Sequence, residues 1–160
     1  MAIASQEHAP RLPPRWIIRG IWIGHRAIHR FTGGRRGLMT PKAGKWGTLR
    51  LVTLGRQSGK ERSAILGYLE DGPNLVTLAM NGWGKAEPAW WLNLQAHRDV
   101  AVELRDGMRA VRGRAAQGVE RERLWARFRE QREWGSDVDA FACHRSGETA
   151  VVVLEPRRPY

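Results

Sequence analysis

The sequence is poor in cysteine and in long apolar runs. Cys143 is the sole cysteine among 160 residues, which excludes an intramolecular disulfide and fits a reducing compartment. No stretch approaches the ~20 apolar residues of a transmembrane helix, and the opening MAIASQEHAPRLPPR lacks the apolar region of a secretory signal. These shortages predict a cytoplasmic protein. Cys143 lies beside Phe141 and Ala142, which predicts a small core residue rather than a nucleophile.

Recognisable metal and nucleophile motifs are also lacking. His25 and His29 could share a helix face, but no Cys, Asp or Glu accompanies them at ligand spacing. The adjacent Cys143 and His144 do not resemble a zinc-binding pattern, and there is no G-x-S-x-G nucleophile elbow. The sequence therefore predicts no metal site and identifies no catalytic side chain.

Acidic residues are few relative to basic ones. The chain has 16 Asp and Glu against 27 Lys and Arg, so its formal net charge is +11 and its pI is near 11.2. Such a balance favours anionic partners: nucleic acid, phosphorylated or carboxylate-rich ligands, or the acidic face of a membrane. A solvated basic surface without a specific partner is the alternative explanation.

The chain divides into a leader, a helix and one folded domain. Residues 1–14 are polar and proline-rich, which predicts a mobile leader. Residues 15–31 place arginines on one side of a helix and apolar side chains on the other, which predicts a basic amphipathic helix. This helix either packs on the domain or lies on an anionic lipid surface, which would put the protein at the inner face of the membrane. Residues 32–160 then form the single domain.

Within that domain, short β-type segments alternate with turns. Six or seven antiparallel strands, with helices inserted between hairpins, favour a small β-barrel of the α+β, mainly β class over a parallel α/β sheet. The predicted strands cover residues 48–54, 62–69, 75–80, 100–104, 108–116 and 149–156, and the predicted helices cover 88–97 and 119–134.

The turn GRQSGKER, residues 55–62, carries more cations than a tight turn requires. Backbone N–H groups in a glycine turn can form an anion-binding concavity. The guanidinium groups of Arg56 and Arg62 match phosphate or carboxylate bidentately, and Ser58 can donate a further hydrogen bond. The segment therefore predicts a phosphate or carboxylate site, although a plain solvated turn has the same composition.

The segment NGWGKAEPAWWLNL, residues 81–94, combines a glycine loop with three tryptophans. A flat conjugated ligand would need close backbone approach and an indole wall, and this segment offers both. On the helix beginning near Pro88, Trp90 and Leu94 are expected to face the core while Trp91 points elsewhere. Packing of all three tryptophans in the core is the alternative.

Several segments together resemble one family. LRLVTLGRQSGKERSAILGYLEDG, NGWGKAEPAWWLNLQAHRDVAVEL, LWARF and AVVVLEP, with FTGG upstream, occur in the order and spacing of the deazaflavin-dependent nitroreductases, oxidoreductases that use coenzyme F420. The resemblance covers residues 31–156. It implies a split β-barrel of the FMN-binding type and a reduced deazaflavin that donates hydride to quinones, activated alkenes or nitro compounds.

The resemblance also implies which residues hold the cofactor. Coenzyme F420 is a planar tricycle carrying a phosphodiester and a tail of glutamates, so it is a long polyanion, which would explain the cationic turn. The residues matched to the anionic tail are Arg56, Gln57, Ser58, Gly59 and Arg62. The residues matched to the ring and its side chain are Met80, Asn81, Gly82, Lys85, Trp90 and Asn93. Gln57 departs from the Lys common in the family, at the loss of one cation.

The acceptor side departs further from the family. The nitroimidazole-reducing member has tyrosines before its last strand, and the corresponding EWGSDVDAFACHRSGE has none. The expected walls of the substrate pocket are instead Trp91, Trp134 and Phe141. The resemblance therefore implies binding of the cofactor more directly than reduction of nitro compounds.

Three other functions remain open at this point. One is an oxidoreductase of the same barrel type that uses FMN, and another is a non-catalytic carrier of deazaflavin. The third is a basic barrel that binds nucleic acid, but the tryptophans cluster beside a glycine loop rather than alternating with cations, so no nucleic-acid partner is expected. The expected partner is a small-molecule hydride acceptor, and the chain is expected to be a monomer or a homodimer.

Overall fold

The computed structural model describes residues 37–131 and 138–157, and six strands and three helices lie in these ranges. In chain order they are β1 (Gly47–Leu54), β2 (Glu61–Asp71), β3 (Asn74–Leu78), α1 (Ala89–Ala96), β4 (Asp99–Leu104), β5 (Gly107–Ala115), α2 (Gly118–Arg129), α3 (Val138–Ala142) and β6 (Val151–Pro156). The predicted leader and the predicted helix over residues 15–31 lie outside these ranges.

The six strands form a closed antiparallel barrel in the order β1-β2-β3-β6-β5-β4. Tight turns join β1 to β2, β2 to β3 and β4 to β5, and each of these hairpins pairs in register across its turn. The last strand, β6, closes the barrel by pairing with β3 on one side and β5 on the other. The predicted antiparallel barrel is therefore confirmed, with strand boundaries one or two residues from the predicted ones in most cases.

The continuous apolar run of β6 reflects burial on both of its faces. Val152 and Leu154 point into the barrel and join its interior core, whereas Val151 and Val153 join a second core on the outside. All four are fully buried. The outer core is completed by Leu124 of α2 and other side chains, so that α2 covers β6 as a helix covers a sheet.

Three expectations about individual elements were wrong. The helix predicted over 119–134 ends at Arg129, and the last strand begins at Val151 rather than two residues earlier. Cys143 is exposed rather than buried, because α3 ends immediately before it. None of the helices in the described ranges has the length and apolar character needed to span a membrane.

The register of the strands brings the predicted site segments to one end of the barrel. Leu54 at the end of β1 lies opposite Glu61, and Leu78 at the end of β3 pairs with Val151 at the start of β6. Because neighbouring strands are antiparallel, the turn at 55–60 and the loop at 79–88 both leave from this end. Helix α1 covers the same end, where its Leu94 is fully buried in the interior core.

Candidate functional site

The turn between β1 and β2 is closed by its own backbone. The N–H of Gly55 donates to the carbonyl of Lys60 at 2.8 Å, and the N–H of Gly59 donates to the carbonyl of Gly55 at 2.7 Å. Gly59 has φ +63°, a left-handed conformation that glycine adopts without steric cost. The hydroxyl oxygen of Ser58 accepts from the N–H of Lys60 at 3.3 Å, which leaves the Ser58 O–H able to donate to a ligand.

The cations of this turn, Arg56, Lys60 and Arg62, are exposed side chains. Among the described residues, no carboxylate lies within ion-pair distance of Arg56, Lys60 or Arg62. Most other arginines in these ranges are paired with acidic side chains: Arg50, Arg109, Arg112, Arg114, Arg121, Arg123, Arg127, Arg129, Arg145 and Arg157. The turn thus places three cations without an acidic partner close together in the chain, whereas most arginines elsewhere in the described ranges are paired.

A buried amide ties this turn to α1. Asn93 is 5% exposed, and its Oδ1 accepts from the backbone N–H of Arg56 at 3.1 Å and from Arg56 Nη1 at 3.4 Å. Arg56 is therefore held at its backbone N–H and, more weakly, at one guanidinium nitrogen, while the residue as a whole remains exposed. Arg56, which the resemblance matches to the tail of the cofactor, and Asn93, which it matches to the ring and its side chain, are in direct contact.

The orientation predicted for the paired tryptophans of α1 was wrong. Trp91 is 6% exposed and belongs to the interior core with Leu94, whereas Trp90 is half-buried and packs against that core from its edge. The two indoles meet edge to face with centroids 6.3 Å apart. In this eight-residue helix, the buried side chains are those of Trp91, Asn93 and Leu94, which point inward together. Trp90 is thus the more accessible of the two indoles.

The loop after β3 has a tight, partly strained backbone. Met80 donates its N–H to the carbonyl of Leu78 at 2.8 Å, and Gly84 donates to the carbonyl of Asn81 at 2.9 Å. Gly82 has φ +55° and Trp83 has φ +60°, and a left-handed conformation is uncommon for an aromatic residue. Asn81 is exposed and Gly82 is half-exposed, so this stretch of backbone is open to a ligand.

Trp83 packs inward from this loop. It is 3% exposed and stacks on Phe141 of α3, with ring centroids 5.9 Å apart and planes 20° from parallel. Of the predicted pocket walls, Phe141 is half-buried in this stack and Trp134 lies outside the described residues. Trp83 therefore packs the loop against α3.

Helix α3, which carries Phe141, is fastened to α2 by an ion pair. The hydrogen bond from Arg129 holds the pKa of Asp139 below its usual range, and the same carboxylate accepts from Trp125 Nε1 at 2.7 Å. Asp139 therefore links α3 to α2 through two side chains of α2. Across the described ranges, no group of three or more His, Cys, Asp or Glu side chains comes together in a way that could hold a metal ion.

Sequence reasoning missed the residue that holds the loop at both ends. Arg145 is 7% exposed; its Nη1 donates to the carbonyl of Ala79, and its Nη2 pairs with Glu87 Oε1 at 3.1 Å. The neighbouring Ser146 hydroxyl donates to the carbonyl of Lys85 at 2.8 Å. In the sequence, Arg145 is one basic residue in an arginine-rich chain, and only its tertiary contacts distinguish it.

The sequence of this chain is similar to those of known proteins. The family model described as F420H(2)-dependent quinone reductase matches residues 24–156. A Mycobacterium tuberculosis protein named for the same family is 34% identical over 117 residues, which span 69% of this chain and 90% of the relative. An F420H(2)-dependent quinone reductase of the same organism is 33% identical over 94 residues, which span 56% of this chain and 62% of that protein.

Solved structures show the same fold. One, described as a domain-swapped dimer, has a TM-score of 0.62 at 23% identity and covers 89% of this chain and 100% of its own. Another, an F420-H2 dependent reductase (FDR-A), has a TM-score of 0.59 at 24% identity and covers 68% of this chain and 93% of its own. These matches agree with the barrel predicted from the strand pattern.

Proposed function

Because this chain belongs to the F420H(2)-dependent quinone reductase family, we propose that it is an oxidoreductase that binds reduced coenzyme F420 and delivers its hydride to a quinone. This family and the deazaflavin-dependent nitroreductases that the sequence resembles both use coenzyme F420. Activated alkenes and nitro compounds are secondary acceptor classes in this proposal, since they too accept hydride.

One observation carries the assignment of the cofactor site. The exposed cations Arg56, Lys60 and Arg62 have no acidic partner among the described residues, and they lie at the barrel end from which the 79–88 loop leaves. A polyanionic tail with a phosphodiester and several carboxylates suits cations without an acidic partner, of which the two guanidinium groups are fork-shaped donors, and a planar ring suits the open loop backbone. The residues present fit both parts of coenzyme F420.

The turn residues would bind the tail in distinct ways. Arg56 presents its free guanidinium donors while Asn93 fixes its backbone, so little conformational freedom is lost on binding. Arg62, with the Ser58 hydroxyl and the amide of Gln57, adds donors on the same turn. Gly59 keeps the turn in the left-handed conformation that brings these donors together.

The loop residues would hold the ring. The N–H of Met80 is already used by Leu78, whereas the N–H groups of Asn81 and Gly82 have no acceptor among the described residues. These two N–H groups are therefore the donors available to charge on the ring. Trp90 borders this end from α1, and Lys85 adds a cation to the same loop.

When bound, the reduced deazaflavin would supply the hydride. The chain's own contribution is to orient the ring on the loop and to exclude water from the face that meets the acceptor. Phe141 and Trp134 are the proposed walls for the acceptor. Solvent is the proposed source of the proton that completes reduction of the acceptor.

Three finer statements belong to the same proposal. We propose that residues 15–31 bring the protein to an anionic membrane surface on the cytoplasmic side, where lipid-soluble quinones are found. Binding to anionic but not neutral vesicles, and its loss when residues 1–31 are deleted, would test this.

We further propose a monomer or a homodimer, which light scattering would distinguish. The domain boundaries proposed from the sequence, with one domain over 32–160, predict that the same truncated protein still folds.

The function is tested by supplying the purified protein with reduced coenzyme F420 and a quinone. We expect the protein to accelerate quinone-dependent oxidation of the cofactor, followed through its absorbance, and to give no acceleration over the protein-free reaction when reduced FMN takes its place. Binding of coenzyme F420 without turnover of any quinone, alkene or nitro acceptor would instead indicate a carrier. A coloured protein that retains FMN on purification would contradict the choice of cofactor.

A further inference from the structure

The loop that would hold the ring is fastened at its two ends by a single buried side chain. Only 1% of the Arg145 side chain is exposed, and its guanidinium bonds to the Ala79 carbonyl at the start of the loop and to Glu87 near its end. Ala79 also donates its N–H to Ala150 at 2.9 Å. One guanidinium thus joins two residues that lie eight positions apart and fixes the loop near both of its ends.

Burial of this charge is costly, which indicates that it has a role. A buried cation destabilises the folded state unless its donors are satisfied, and Nε of Arg145 has no hydrogen-bond partner among the described residues. An apolar side chain of similar size would fill the same space at lower cost. Packing alone therefore does not explain an arginine at this position, whereas the two loop contacts do.

The loop between the two fastened points stores strain. Trp83 is the non-glycine residue with positive φ among those described, at +60°, and it follows Gly82 at +55°. A strained conformation of this kind costs on the order of 1–3 kcal/mol and persists only where surrounding contacts over-determine it. Arg145 supplies two of those contacts, and the stack of Trp83 on Phe141 supplies a third.

We infer that Arg145 is a positioning residue, which acts through Ala79 and Glu87 to hold the backbone of residues 80–82 in the conformation that would bind the cofactor ring. The inference rests on the proposed function. It assigns Arg145 to placement of the ring and not to affinity for the tail, because the tail-binding turn is held separately by Asn93. Loss of Arg145 should therefore lower hydride transfer more than cofactor binding.

The first test needs no cofactor. Hydrogen exchange is measured by mass spectrometry on the full-length protein, its Arg145→Met and Arg145→Lys variants, and Glu87→Ala, which removes the acceptor at one end. We expect peptides covering residues 79–87 to exchange about tenfold faster in Arg145→Met, as loss of hydrogen bonds to a charged group implies, with a smaller increase in Glu87→Ala. Peptides from β1 and β2 should be unchanged. If the loop peptides exchange at the wild-type rate in both Arg145→Met and Glu87→Ala, the inference is overturned.

Arg123→Met is the matched control. Arg123 also forms an ion pair, with Asp71 at 2.8 Å, but at the opposite end of the barrel and on the surface. Its loss should leave exchange of the loop unchanged. If Arg145→Met does not fold, Glu87→Ala and Arg145→Lys carry the test, since the Glu87 side chain is partly exposed and the lysine keeps the charge.

The second test uses the cofactor. In Arg145→Met we expect kcat with a quinone to fall about tenfold or more, since small misplacements of reacting groups have effects of that order, while Kd for coenzyme F420 changes less than threefold. Arg145→Lys should recover part of kcat. A fall in kcat no larger than in Arg123→Met would refute the positioning role. Failure of the wild-type protein to bind coenzyme F420 would refute the proposed function and leave the exchange result standing.

Discussion

The cationic turn provides the most direct measurement of the proposed cofactor site. Replacing Arg56 or Arg62 with alanine removes one fork-shaped donor from a side chain that is exposed and has no acidic partner among the described residues. Neither substitution leaves a buried acid unpaired, so the barrel should stay folded. The effect should therefore appear in binding rather than in stability.

The magnitude follows from the kind of contact that is lost. A hydrogen bond to a charged group contributes about 1.5–3 kcal/mol, which corresponds to roughly a 10- to 150-fold change in Kd. Both side chains are open to water, so screening favours the lower part of that range. We expect about tenfold weaker binding for Arg62→Ala and somewhat more for Arg56→Ala, because Asn93 already fixes the base of Arg56.

The assay is titration with coenzyme F420, followed by fluorescence, at low and moderate salt. Arg105→Ala is the matched control, because Arg105 is an exposed cation in the turn between β4 and β5 at the opposite end of the barrel. It changes net charge equally and should change Kd less than twofold. Equal weakening by Arg105→Ala would show that only net charge matters, and wild-type affinity in both turn variants would refute the tail site.

Three further predictions address the scaffold. Asn93→Leu should weaken binding of coenzyme F420 severalfold and lower stability by about 1–3 kcal/mol, because it removes the buried acceptor for the turn; titration and urea unfolding measure the two effects. Gly113→Ala should cost about 1–3 kcal/mol in urea unfolding, because a Cβ there would lie 2.6 Å from Cδ2 of the fully buried Leu94. The hydrogen bond from Arg123 holds the pKa of Asp71 below its ordinary 3.8, so the folded state binds fewer protons than the unfolded state. The stability from this pair is present above about pH 4 and lost as pH falls through the lowered pKa; a smaller loss of unfolding free energy on acidification in Asp71→Asn would confirm the linkage.

The barrel could be predicted from the sequence because its signals are local. Tight glycine turns separate segments of β-type composition, and this pattern fixes which strands are neighbours in each hairpin. The run VVVL in β6 indicated a buried strand, although not that its two faces serve different cores. The helix predicted over 119–134 was too long, because a charged, helix-favouring sequence does not show where packing against the barrel ends.

The candidate site was only partly predictable. The turn was singled out because its cations and glycines are typical of an anion site, and the loop because its glycines and tryptophans suit a flat ring. The individual ring residues Met80, Asn81 and Gly82 came from the family resemblance. The orientation of Trp91 was not found, because helical spacing gives relative angles and the contact with the barrel decides which face is inward.

The sequence by itself determined the strand order within hairpins, the cationic turn and the family to which the chain belongs, because each depends on the order and spacing of residue types along the chain. Only the tertiary structure decided that Asn93 holds Arg56 and that Arg145 spans Ala79 and Glu87. These contacts join residues 37 to 66 positions apart. Closure of the barrel brings such residues together, and the pattern of residue types along the chain does not specify which of many arginines will be buried there.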